Sequence, residues 1–221
     1  MTIITMTGSA IGFALAIHLA FGVRSNVARF LSLFLFSLSV VLLEPLIDRF
    51  YSFQHLFAVL IGASTFAIGP SLFHYCKYRM TTIKKTQYDF LHYLPALIVL
   101  VSMGISSIQA QDLAKDSVED VIVYIFLVLQ IFTYCLLALG IAFRSPKIFS
   151  QSYPNRFHFV FVRLLVMFTL IMFTYSFLNT LLQYNTSSWF INSIQLLLNL
   201  AIIIIALFNA EGLEKHRSYQ T

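Results

Sequence analysis

Charge is what this chain has least of. Only 10% of its 221 residues are Asp, Glu, Lys or Arg, against 59% hydrophobic residues and a mean hydropathy of +0.83. Ordinary soluble domains carry about 25% charged residues, so this composition excludes one and requires lipid as the solvent. The two cysteines, Cys76 and Cys135, are too few for a disulfide framework. Both fall toward the cytoplasmic ends of different apolar runs, where they read as packed, reduced thiols. There is no Gly/Ser-rich linker, no inserted soluble stretch and no internal duplication of the inverted-repeat kind. Met1 onward also lacks the basic leader and cleavage site of a secretory signal peptide, so the first span is expected to begin there.

Catalytic and metal-binding patterns are missing too. None of the six histidines forms an i, i+4 pair with a carboxylate companion, so no metal, haem or other cofactor is expected. Ser, His and Asp residues occur, but none in a nucleophile-elbow context. No catalytic residue is nominated, and a non-enzymatic role is expected.

Seven apolar runs remain, at 3–23, 30–47, 53–76, 90–110, 121–143, 157–182 and 189–208. A hydrocarbon core of about 30 Å needs roughly 20 apolar residues per spanning helix, and these runs meet that length. Strands of a β-barrel would alternate instead over about 10 residues. The expectation is an all-α, seven-transmembrane helix bundle over 1–210, followed by a short tail at 211–221.

Basic residues set its orientation, because cytoplasmic loops carry the Lys/Arg excess. Of fourteen Lys and Arg residues, only Arg49 and Lys115 fall on one side, which leaves twelve on the other, including Lys77, Arg79, Lys84, Lys85, Arg144 and Lys147. The minority side also carries Asp48, Asp112, Asp116, Glu119 and Asp120. This asymmetry predicts a periplasmic N-terminus and a cytoplasmic C-terminus in the bacterial inner membrane. Arg163, inside the sixth run, is close enough to the cytoplasmic end to snorkel as an anchor.

Three groups of residues could carry function. Gly8, Gly12, Ala16 and Ala20 form a small-residue ladder on one face of the first span, suited to close helix packing within the chain or to a partner, a second copy included. Glu44, beside Pro45, is an intramembrane carboxylate near the outer end of the second span. It is level with Asn179 and Gln183 of the sixth run and with Asn192 and Gln195 of the seventh; Asn199 continues that last stripe. Amides cannot face lipid unsatisfied, so these residues are expected inside the bundle, either bonded between helices or lining a ligand pocket with Glu44. Gly69-Pro70 interrupts the third span and should bend it, as a static kink or a hinge.

The segment Gly69-Pro70-Ser71-Leu72-Phe73-His74-Tyr75, a basic loop, and then His92-Tyr93-Leu94-Pro95 resembles the membrane domain of bacterial AraC-type transcription regulators that carry seven N-terminal helices. The resemblance follows the order of spans through nearly the whole chain, while its specific residues lie in the third and fourth. It implies that a ligand or an envelope state is sensed in the membrane and passed to a cytoplasmic DNA-binding domain, with Gly69, Pro70, His74, His92 and Pro95 in signal transmission. Residues 211–221 are too few for a DNA-reading domain, so no direct nucleic-acid contact is expected. The expected role is a sensory or regulatory module whose output runs through a separate membrane or cytoplasmic protein. A scaffolding subunit of a larger complex is the alternative, and a small-molecule transporter comes third.

Overall fold

In lipid, a long apolar segment satisfies its own backbone N–H and C=O groups only as a helix. The computed structural model describes residues 2–23, 25–44, 54–81, 86–108, 118–144, 156–182 and 188–218, and every regular element among them is helical. Helix α1 (Thr2–Ile17) runs on through a π-helical turn, His18–Gly22, and α2 spans Asn26–Val41. Helix α3 spans Gln54–Met80; a 3₁₀ turn, Gln87–Tyr93, then leads into α4 (Leu94–Ile108). Helices α5 (Val118–Arg144), α6 (Arg156–Leu182) and α7 (Ser188–Ser218) complete the bundle.

Among the described residues five stretches are long and apolar enough to cross a membrane: Ile3–Gly22, Leu56–Met80, Gln87–Ile105, Ile125–Arg144 and Phe159–Leu178. Asn26–Val41 and Leu196–Ala210 are shorter apolar helices. The outer surface agrees with a lipid environment, since Phe126, Leu129 and Leu197 are 56%, 60% and 66% exposed. Large apolar side chains exposed on every side are unfavourable in water and neutral in a bilayer. The protein is a multi-pass membrane protein.

The expected runs form helices in the expected order, with three differences. Helix α2 stops at Val41, short of residue 47, and Leu42 N–H closes it on Leu38 O at 2.9 Å. Pro45 explains this, because it has no N–H to return to the carbonyl of Val41 and crowds the residue before it. The fourth run opens as a 3₁₀ turn at Gln87, before residue 90. Helix α7 continues to Ser218, so most of the expected tail is helical.

Helix α3 is central and packs against α2, α4 and α5, while α1 meets α2 and α7, and α6 meets α5 and α7. Leu31, Leu35 and Leu38 of α2 meet Ile68, Leu72 and Tyr75 of α3 in a fully buried core. Cys76 and Cys135 lie in the same core as free thiols.

The small-residue ladder of α1 is used within the chain. A Cβ at Gly8 would come within 2.8 Å of Leu200 Cδ2 on α7, and one at Gly12 would collide with the Ser39 hydroxyl on α2. Ala16 is buried, and its carbonyl accepts a hydrogen bond from Ser32 Oγ at 2.7 Å; Ala20 is half-buried. Ser9 Oγ donates to Ser39 O at 2.8 Å. These close contacts let α1 and α2 exchange hydroxyl-to-carbonyl bonds that bulkier residues would prevent.

Arg163 does more than snorkel. Its Nε donates to Ala142 O at 3.0 Å and its guanidinium lies 5.0 Å from the Phe143 ring. Ala142 is in the last turn of α5, where carbonyls lack intrahelical partners and a cation is favoured.

Candidate functional site

A proline inside a helix leaves the carbonyl four residues back without its N–H partner. At Pro70 that carbonyl is Phe66 O, and Gln130 Nε2 of α5 donates to it at 3.3 Å. Gly69 makes the approach possible: a Cβ there would lie 3.2 Å from Tyr134 Cβ and 3.5 Å from Ile131 Cα. Helix α3 therefore passes through Gly69-Pro70 unbroken, with α5 pressed against the site and supplying the missing donor. This is the geometry of a braced helix; Gln130 was not nominated from sequence.

One turn further on, His74 is fully buried. Its Nδ1 donates to Pro70 O at 2.8 Å, which orients the ring and points Nε2 at Asp89 Oδ1, 3.4 Å away. Asp89, buried in the 3₁₀ turn, collects donors on both oxygens. Thr86 N–H gives 3.0 Å to Oδ2, Thr86 Oγ1 gives 3.1 Å to Oδ1, and Lys77 Nζ gives 3.3 Å to Oδ1. Tyr78 Oη donates to Oδ2 as well. An acidic side chain three residues into a helical turn, reaching back to a threonine N–H, is a capping box, and here it also joins α3 to the start of α4.

Aromatic rings enclose this charged centre. Phe30 of α2 stacks on His74 at 5.0 Å, Tyr93 stacks on it at 5.8 Å, and His92 meets it edge-on at 4.9 Å. His92 Nδ1 shares a 2.7 Å hydrogen bond with Tyr134 Oη of α5. The motif residues Pro70, His74 and His92, distant in sequence, thus form one cluster tying α2, α3, α4 and α5 together; Pro95 follows in the first turn of α4. Tyr75, next in the motif, faces the other way: its Oη donates to Asn209 Oδ1 at 3.0 Å on α7. Asn209 Nδ2 in turn donates to Ile205 O at 2.9 Å.

No family model, curated protein or solved structure matches this chain. Its function must be argued from its own residues.

Toward the opposite end of α3 lies a cavity of about 230 Å³. Glu44 sits at its mouth just beyond α2, with Ile61 and Thr65 of α3, Phe132 of α5, and Phe173, Ser176 and Phe177 of α6 in the wall. Glu44 is thus in a turn beyond the helix, exposed, and in the lining of this cavity. Gln183 and the side chains of Asn179, Asn192 and Gln195 lie outside the described residues. Asn199, which continues their stripe, is buried, and its Oδ1 has no protein hydrogen-bond partner among the described residues. Among the described residues no group of three His, Cys, Asp or Glu side chains is placed to hold a metal.

Thr65 and His74 are on one continuous helix. At 1.5 Å per residue, the cavity wall and the His74–Asp89 cluster are about 14 Å apart along its axis.

Proposed function

We propose that this protein is a non-enzymatic sensory or regulatory module of the bacterial inner membrane that acts through a separate partner protein. In this reading the chain crosses seven times, with its N-terminus in the periplasm and its C-terminus in the cytoplasm, an orientation supported by the twelve-to-two distribution of basic residues. The cavity beside Glu44 then opens toward the periplasm, and the Lys77–Asp89 network lies at the cytoplasmic surface. The resemblance of residues 69–75 and 92–95 to the membrane domain of AraC-type regulators would imply the same direction of signal.

One observation carries the proposal: a cavity and a buried charged cluster adjoin the same braced helix, α3, about 14 Å apart along its axis. A ligand shifts such a bundle only by binding one arrangement better than another. Helix α3 supplies wall residues to the cavity and His74 to the cluster, so a change in its packing reaches both. Tyr75 extends the link to Asn209 near the cytoplasmic end of α7.

Tyr88, 64% exposed beside Asp89, is the place to look for the partner. A photo-reactive phenylalanine analogue at Tyr88 in intact cells is expected to give one discrete protein adduct, weakened by Asp89→Asn, while the same analogue at Phe126 gives none. No adduct at Tyr88, or one indifferent to Asp89→Asn, would remove the proposal.

A scaffolding role is the second reading, favoured by α4. That helix packs chiefly on α3, and its apolar face, including Leu97, Ile98 and Val101, is exposed. The Tyr88 adduct would then be insensitive to Asp89→Asn, and a stoichiometric complex would persist in mild detergent.

A further inference from the structure

The cavity between α2, α3, α5 and α6 has a composition that selects its occupant. Three phenylalanines, Phe132, Phe173 and Phe177, contribute to its wall, and Phe132 meets Phe177 edge-on at 6.2 Å. Thr65 and Ser176 add hydroxyls, and Glu44 is the one ionisable side chain in the lining among the described residues. Aromatic faces attract cations, most strongly where water is excluded. A carboxylate at the mouth of an apolar pocket repels an anion, and a neutral occupant would strip water from it without replacing the lost interaction.

Size narrows the choice further. A volume of about 230 Å³ is below the roughly 300–1,000 Å³ typical of pockets for drug-sized ligands. It suits a compact apolar group carrying one positive charge.

We propose that this cavity binds an organic ammonium cation, from a small free amine or from a phospholipid headgroup, with the charge at Glu44 and the apolar body among Phe132, Phe173 and Phe177. The assignment names the ligand class of the sensory site and rests on that reading. Glu44 supplies the charge partner, the rings supply cation–π attraction and apolar contact, and the hydroxyls of Thr65 and Ser176 supply polar edges.

The test uses the full chain in lipid nanodiscs and three probes of one shape: phenethylammonium, phenethyl alcohol and phenylacetate. Phenethylammonium is expected to bind at least about tenfold more tightly than the other two, and Glu44→Gln to weaken it by a similar factor. Glu44→Asp, which keeps the charge, should retain binding within a few-fold and guards against a folding defect in Glu44→Gln. Ser176→Trp, which fills the cavity, should abolish it. Repeating the titration in phosphatidylglycerol discs with and without phosphatidylethanolamine separates the two sources: competition identifies the headgroup, and its absence identifies a free amine. Equal binding of the alcohol or the acid, binding indifferent to Glu44→Gln, or binding that survives Ser176→Trp would each overturn the proposal. Amine selectivity with a Tyr88 adduct indifferent to Asp89→Asn would keep the ligand and remove the sensory role. The converse pattern would remove the ligand class alone.

Discussion

His74 Nε2 and Asp89 Oδ1 lie 3.4 Å apart, bringing α3 against the 3₁₀ turn that precedes α4. Both side chains are buried; Nε2 makes no hydrogen bond to the carboxylate, and each group is held by bonds of its own, His74 by the Pro70 carbonyl and Asp89 by Thr86, Tyr78 and Lys77. The carboxylate, with the most partners, is the organising group.

Asp89→Asn should accordingly cost more than His74→Phe. The amide cannot accept on both sides and leaves donors stranded, a loss of about 2–4 kcal/mol. Phenylalanine at residue 74 keeps the stacking on Phe30 and loses chiefly one hydrogen bond, about 1 kcal/mol. Thermal unfolding in detergent should rank wild type above His74→Phe and His74→Phe above Asp89→Asn. The opposite rank would mean that the ring organises the cluster.

Glycine substitutions should divide by helix contact. Gly12→Ala collides with the Ser39 hydroxyl and is expected to destabilise by about 1–3 kcal/mol. Ser39→Gly in the same chain should restore much of that loss. Gly140→Ala, where nothing lies within 4 Å of the added carbon, should be neutral or stabilising by about 0.5–1 kcal/mol. Thermal melts of the three variants check this.

Arg163→Met should free the Ala142 carbonyl and remove a cation from the end of α5, costing about 1 kcal/mol. Hydrogen exchange is expected to quicken in the last turn of α5, near Arg144, and to stay unchanged at Ile131. Uniform quickening along α5 would contradict a local cap.

Fusions at the two termini test the orientation. A fluorescent protein at the C-terminus should glow and alkaline phosphatase there should be inactive, whereas phosphatase at the N-terminus should be active. The reverse pattern would invert the assignment made from Arg49, Lys115 and the twelve opposing basic residues.

The helices were legible in the sequence because lipid leaves long apolar runs one way to satisfy the backbone. Their limits were less so: Pro45 stops α2 early, while α7 runs through the polar residues expected to form a tail. Glu44 stands out in the sequence as an intramembrane carboxylate beside Pro45, and the cavity beside it depends on how α2, α3, α5 and α6 rotate, which no one-dimensional pattern records. His74 and His92 were singled out by motif, but Asp89 between them was read as loop. The Thr86-x-x-Asp89 spacing of a capping box was the signal available. Gln130 had a signal too, an amide deep in the fifth span opposite a proline in the third, although the pairing of α3 with α5 was needed to see it. Arg163 was read as an anchor because its partner, a backbone carbonyl, has no signature in side-chain sequence.

The central claim is that the cavity and the His74–Asp89 cluster are coupled through α3. The thiol of Cys76, fully buried on that helix, reports opening of the core, so its rate of maleimide labelling in nanodiscs, in a Cys135→Ala background, measures a local opening free energy. A double-mutant cycle of Glu44→Gln and Asp89→Asn on that rate is the most direct test. Coupling predicts non-additivity of at least about 0.5 kcal/mol; additivity within about 0.3 kcal/mol, as for independent distant sites, would contradict the account.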